Sequence, residues 1–243
     1  RSYRKDHRRD WEGRIRKVYS YIKTGKRTIK ERFNMRFVVF GKGKLAIDVC
    51  SYLLNTNSEL HVVPVIPEPK WTPSLIDWCK RNKIPYTESG NYRDLDFRVV
   101  LGISVFYDKI FKKDFIDSCG KLINIHNGPL PKYRGMSPIN WALKDKQKEH
   151  GITIHEITPG VDDGPIISQL KYSIYPELDE VIDVYNRSLE YGKILFENTF
   201  PILYNIEPKE QDESEVIYHD SSENHLLGER MNFTKEQSCQ KQD

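Results

Sequence analysis

With 243 residues, 38% of them hydrophobic and 30% charged, the chain is long enough for one full core and a short appendage. No apolar run approaches the ~18 residues of a membrane-spanning helix, and the first thirty residues lack the apolar stretch of a signal peptide, so a cytoplasmic location is expected. The net charge of +3 conceals an asymmetry: residues 1–34 hold 13 Lys or Arg against 4 Asp or Glu, which leaves the remainder acidic.

That basic arm carries Trp11, Ile15, Val18 and Ile22 on one helical face, with Thr24-Gly25 as a stop. Nucleic acid, an anionic surface and the acidic body of the same chain all suit its charge, and the arm alone does not choose among them. Cys50, Cys79, Cys119 and Cys239 show no C-x-x-C spacing, so they read as thiols and suggest neither a zinc site nor a disulfide framework.

From Met35 short apolar runs alternate with helical segments. RFVVFGKGK is a strand running into a glycine turn, and Leu45, Val49, Tyr52 and Leu53 continue as a helix face. LHVVPVI (60–66) is a second strand whose Pro64 points to a sheet edge or an irregularity. A helix over 73–82, a strand over 98–105, a helix over 112–119 and a strand over 121–126 follow. This alternation predicts an α/β fold: a Rossmann-like, mostly parallel sheet with helices on both faces and ligands at the carboxyl ends of strands. Ser137 and Pro138 read as the cap and first turn of another helix. Strands over 151–158 and 165–174 flank the turn 159–164, and a long helix begins near Glu177 with Val181, Val184, Tyr185, Leu189 and Leu195 facing the core. Beyond Ile206 the residues are polar without a period, which predicts an irregular or surface-draped tail. The expected division is a basic helical extension (1–34), a catalytic domain (35–206) and the tail (207–243).

The GKGK turn lacks the third glycine of a dinucleotide fingerprint and the spacing of a P-loop, so it reads as a tight turn beside a substrate cleft. Asn124 and His126 carry the sharper signal. Two apart on a strand, they project from one face at its end, where burial without partners is costly and a lined cleft is the natural setting. The turn PGVDDGP (159–165) offers Asp162 or Asp163 to the imidazole, and a carboxylate there favours the charged ring near neutrality. Such a group serves a reaction in which a carbonyl oxygen gains charge and a proton is passed on.

Taken together, INIHNGPLPKYRG, SPINWAL and HGITIHEITPGVDDGPIISQ resemble the folate-dependent formyltransferases, a family that includes methionyl-tRNA, glycinamide ribonucleotide and amino-sugar N-formyltransferases. The resemblance spans about 35–206. It implies Asn124, His126 and Asp162 as the catalytic trio, with Asp162 preferred over Asp163 by its place two residues before Gly164. It also implies 10-formyltetrahydrofolate as formyl donor. One wall of the donor's pocket is matched by SVFYDKIF (104–111), with Phe106, Tyr107, Lys109 and Ile110, and the other by Ile157, Thr158, Gly160, Val161 and Asp162. His155 has a counterpart that orients the reacting groups in some members; its other reading is a strand residue facing solvent. Lys132 and Arg134 are either anion contacts or surface charge.

Three departures from the family pattern stand out, the first at a side-chain contact near the cofactor and the other two at the acceptor. Gly128-Pro129 stands where many members have Ser-Leu, the glycine turn lacks a Ser-Asn used around a substrate phosphate by the purine enzymes, and few residues follow Ile206 compared with the C-terminal domain of the tRNA enzymes. The expected acceptor is therefore the amino group of a nucleotide-linked amino sugar. A tRNA or purine acceptor and a folate-binding regulator without turnover are the alternatives. Nucleic acid is not the expected partner despite the basic arm, and homo-oligomerisation is left open.

Overall fold

The computed structural model describes residues 35–56 and 59–228, so the helix expected around Trp11–Ile22 lies outside the described residues. A six-stranded sheet has the order β2-β1-β3-β4-β6-β7, formed by β1 (Met35–Gly41), β2 (Leu60–Pro64), β3 (Arg98–Val105), β4 (Lys121–His126), β6 (Glu149–Glu156) and β7 (Ile166–Ser173). The first four in that order pair in parallel, while β4–β6 and β6–β7 are antiparallel. The fold is the mostly parallel α/β sheet expected, and β2 with its Pro64 takes an edge.

Strand alternation assigns the two faces. Phe37 and Val39 of β1 enter a core cluster with α1 (Gly43–Asn55), α2 (Leu75–Asn82) and α5 (Val181–Thr199), through Leu45, Val49, Leu75, Leu195 and Phe196. Val38 and Phe40 enter the opposite cluster with Tyr92, Val99, Phe111 and Leu122. Both faces are thus covered, which explains why the central strands read as unbroken apolar runs. A third cluster joins Tyr133, α4 (Pro138–Lys144), Tyr172 and Val181 to Leu227. The remaining helix, α3 (Lys113–Ser118), buries none of its residues, although Phe115 and Ile116 lie against the second cluster.

Local chemistry explains most boundaries and corrects two of them. Ser74 caps α2 by accepting from Asp77 N at 3.0 Å, and the Glu68 carboxylate accepts from Leu75 N at 2.7 Å. Ser137 precedes α4 as expected but does not cap it: its backbone is left-handed (φ 55°), and its hydroxyl donates instead to Asn224 Oδ1 at 3.3 Å. The long helix begins at Val181, later than expected. There Glu180 and Asp183 form a reciprocal capping box, whereas the preceding residues turn back on the Tyr175 carbonyl.

The glycine turn after β1 is set by close approach. A Cβ on Gly41 would lie 2.1 Å from the Val105 carbonyl oxygen at the end of β3, and one on Gly43 would lie 2.5 Å from Thr72 Oγ1. The tail residues 207–228 form short 3-10 turns and one strand, β8 (Tyr218–His219), which pairs in parallel with β5 (Arg134–Gly135). Among the described residues, no helix is long and apolar enough to cross a membrane.

Candidate active site

The carboxyl ends of β1, β3 and β4 lie side by side, since Gly41 pairs with Val105 and Asn124 with Ser104. Ile123 and Ile125 of β4 point into the first core cluster, so Asn124 and His126 project from the other face, alongside Leu122. On β6, Ile152 and Ile154 likewise enter the first cluster, so Thr153 and His155 share the face of Asn124 and His126. The antiparallel register sets Asn124 opposite His155. The turn after β6 then returns Asp162 to the same place.

Asp162 is the hub. Its Oδ1 accepts from Asn124 Nδ2 at 3.2 Å and lies 3.4 Å from His155 Nε2. Its Oδ2 accepts from Gly135 N at 3.0 Å and lies 3.3 Å from His126 Nδ1. Asn124 Nδ2 is also 3.1 Å from His155 Nε2, whose ring is fixed because Nδ1 donates to the Glu156 carbonyl at 2.8 Å. His126 Nε2 donates to the Tyr133 carbonyl at 2.8 Å. Asp163 points elsewhere: it accepts from the Thr158 hydroxyl and folds over Gly160, where a Cβ would lie 2.0 Å from its carboxylate. Geometry therefore brings Asn124, His126, His155 and Asp162 together and leaves Asp163 out.

The backbone around this group is held in unusual conformations. Phe106, Tyr133, Ser137 and Asp162 all have φ between 52° and 61°, the left-handed region that costs a side-chain-bearing residue about 1–2 kcal/mol. The left-handed Tyr133 turn presents its carbonyl to His126, and that of Asp162 carries its carboxylate between Asn124 and Gly135. Strain clustered in this way at one cleft is typical of functional sites.

Electrostatics correct one expectation. Burial pushes the pKa of His126 below its ordinary value; the Asp162 carboxylate pulls it up, nearby His155 pushes it down, and the net direction is downward. Asp162 thus favours the imidazolium, but burial of the ring, only 6% exposed, outweighs that pull. Burial alone would raise the Asp162 pKa, but the positive charge of His126, the contact with His155 and the Gly135 N–H hold it well below the usual carboxylate range. The carboxylate is consequently ionised and rich in donors, beside a ring that holds its second proton loosely.

The remaining candidates divide. Phe106 packs against the first cluster, whereas Tyr107 stacks on Phe111 with centroids 5.5 Å apart and donates its hydroxyl to the Gly90 carbonyl at 2.7 Å. Lys109 also bonds that carbonyl, at 2.8 Å, so both side chains turn toward Gly90, and Ile110 is exposed. Ile157 joins the cluster of Tyr107 and Phe111, so residues of the two expected walls share one apolar cluster. Gly160 and Val161 are exposed at the tip of the turn. His155 is buried at 2% exposure, which rules out the solvent-facing reading. Lys132 is exposed, but Arg134 is buried and engaged: Nε donates to Gln211 Oε1 at 3.0 Å, and its other nitrogens reach Glu213 at 2.8 and 3.3 Å. Neither the anion-contact nor the surface-charge reading describes it.

A cleft of about 720 Å³ lies along the start of α5, lined in part by Lys44 of α1, Trp71, Thr72, Tyr185, Arg187 and Glu190; Asn124, His126, His155 and Asp162 do not line it. Tyr185 sits with its ring 5.4 Å from Trp71 and 6.2 Å from Phe106, which links the cleft to the loop after β3. Its cations are already paired, Lys44 with Asp48 and Arg187 with Asp179.

Residues 87–199 match the family described as Formyl transferase. A methionyl-tRNA formyltransferase of Pseudothermotoga lettingae is 36% identical over 147 residues, covering 58% of this chain and 47% of that protein. One from Thermosipho africanus is 30% identical over 185 residues, covering 69% and 60%. The chain thus spans about half the length of the curated relatives it matches. Among solved structures, an N-formyltransferase from Helicobacter canadensis, in complex with folinic acid and dTDP-3-aminofucose, is 26% identical with a TM-score of 0.68, covering 77% of this chain and 71% of that one. WlaRD, a sugar 3N-formyl transferase solved with dTDP and 5-N-formyl-THF, has the same fold, with a TM-score of 0.70 at 24% identity over 78% of this chain and 71% of that one.

Proposed function

We propose that the chain is a folate-dependent formyltransferase, transferring a formyl group from 10-formyltetrahydrofolate to a primary amine; the match of residues 87–199 and the similar proteins support this reading. The observation that carries this reading is the convergence of Asn124 Nδ2 and His126 Nδ1 on the two oxygens of one ionised carboxylate. The Asn124 amide, together with His126 Nδ1 when the ring is protonated, suits a carbonyl oxygen that becomes negative, and each such donor supplies about 3 kcal/mol of transition-state stabilisation.

In the resting site Asp162 accepts from the Asn124 amide, and from His126 Nδ1 in the protonated form of the ring that the carboxylate favours. As the amine attacks the formyl carbon and charge grows on its oxygen, Asn124 and protonated His126 turn part of their hydrogen bonding to that oxygen. Asp162, relieved of them, becomes the stronger base and takes the proton that the amine sheds. The new carbon–nitrogen bond forms, the bond from the formyl carbon to N10 of the folate breaks, and the proton passes to the departing N10. The half-buried Tyr107 and Ile157 offer apolar surface for the flat ring of the donor, with backbone groups of 104–111 and 157–162 as its polar contacts.

For the acceptor we favour the amino group of a nucleotide-linked amino sugar. Supporting it are the likeness to a solved enzyme in complex with such a sugar and the aromatic-walled cleft at Trp71 and Tyr185 next to Phe106. The sequence relatives favour a second acceptor, methionyl-tRNA. Initial rates on nucleotide-linked amino sugars and on charged initiator tRNA separate the two: the sugar is expected to give at least about a hundredfold higher kcat/KM, on the order of 3 kcal/mol. Faster transfer to the tRNA overturns the sugar assignment.

A further inference from the structure

The Asp162 carboxylate is placed by a backbone that a side-chain-bearing residue adopts only under constraint, and the constraint comes from the tail. Gln211, 9% exposed, donates its side-chain amide to the carbonyls of Asp162 at 2.8 Å and Gly164 at 2.7 Å. Its Oε1 accepts from Arg134 Nε at 3.0 Å. Arg134 lies in β5, next to Gly135, whose N–H holds Asp162 Oδ2. The single amide of Gln211 therefore ties together both backbone segments that aim the carboxylate. Lys209, two residues earlier, exchanges backbone hydrogen bonds with Ile166 at 2.7 and 2.8 Å, which fixes the tail against the start of β7.

We propose that Gln211 is a positioning residue for formyl transfer: through the Asp162 and Gly164 carbonyls it holds the 162–164 turn so that the carboxylate meets His126 and Asn124. The inference rests on the functional reading above for its kinetic consequence and on geometry alone for its effect on His126. Both carbonyls are satisfied by one buried amide, so losing it leaves two acceptors unpaired and frees the left-handed Asp162 to relax. Displacement of a reacting group by about 1 Å costs roughly a hundredfold in rate.

Gln211→Met, which fills the same space without donors, tests this beside Glu213→Ala, which removes only the solvent-facing partner of Arg134. Three quantities decide: the titration midpoint of His126 by NMR, kcat and KM for formyl transfer, and the melting temperature. In Gln211→Met the His126 midpoint is expected to fall, because Asp162 no longer sits against the ring, and kcat to drop about a hundredfold with KM for the folate within about threefold. Glu213→Ala is expected to match the parent in midpoint and kcat. An unchanged midpoint and kcat in folded Gln211→Met overturn the proposal, as does an equal shift in Glu213→Ala, which would mean that tail docking in general is responsible. If Gln211→Met does not fold, Gln211→Asn, with its amide drawn back by one methylene, is judged by the same midpoint and kcat. If the parent shows no formyl transfer, the functional reading fails, while the His126 midpoint still decides the positioning claim.

Discussion

Asp162→Asn is expected to lower formyl transfer by about a thousandfold, while Asp163→Asn stays within a few-fold of the parent. The difference follows from where the adjacent carboxylates point. Asp162 receives the Asn124 amide, the Gly135 N–H and the His126 ring, and it is the only one of the pair that faces the reacting amine in the proposed mechanism. An amide at 162 fills the same space but neither accepts a proton nor favours a positive ring. The His126 midpoint should fall in Asp162→Asn, since the carboxylate is the chief influence that opposes burial of the ring. Asp163 instead accepts from Thr158 within its own turn, a role that an asparagine oxygen can keep. Rates and NMR titration of both variants check this; a crippled Asp163→Asn beside a near-normal Asp162→Asn would reverse the assignment.

Asn124→Ala is expected to reduce kcat by about two to three orders of magnitude, the loss typical when one oxyanion donor is removed. The fold should survive, because Asn124 is only partly buried at the strand end and its replacement leaves the apolar contacts of β4 intact. The cost in stability is about 1 kcal/mol, from the lost donor to Asp162 and His155. His126→Ala is a poorer probe of the chemistry. That ring is buried and bonds the Tyr133 carbonyl, so its removal mixes catalysis with folding. Steady-state kinetics with a thermal melt of Asn124→Ala separate the two effects, and a kcat within threefold of the parent would remove Asn124 from the mechanism.

The parts of the site readable in the sequence are those governed by short-range geometry. Asn124 and His126 share a face because strand periodicity requires it, and the glycine-flanked turn before Pro165 marks where a carboxylate can return to them. His155 was ambiguous because its burial depends on β6 pairing antiparallel with β4, a register that no local pattern specifies. The downward direction of the His126 pKa escapes the sequence for a similar reason. A neighbouring carboxylate is visible in sequence, but the desolvation that outweighs it comes from packing of the surrounding loop. Gln211 carried no signal at all: it is 49 residues from Asp162 along a polar stretch without period, and only the folded tail brings its amide to the turn. Arg134 looked like a free cation because its partners, Gln211 and Glu213, lie on that same tail.

In the proposed reaction the Asn124–His126–Asp162 group passes a formyl group to an amine and does not release it to water. Incubating the full chain with 10-formyltetrahydrofolate carrying a labelled formyl carbon and with a nucleotide-linked amino sugar, then counting products, tests it most directly. Formamide on the sugar should appear in equal amount with tetrahydrofolate, and both should vanish together in Asp162→Asn. Labelled formate with an unmodified amine, or no loss of formyl donor at all, would contradict it.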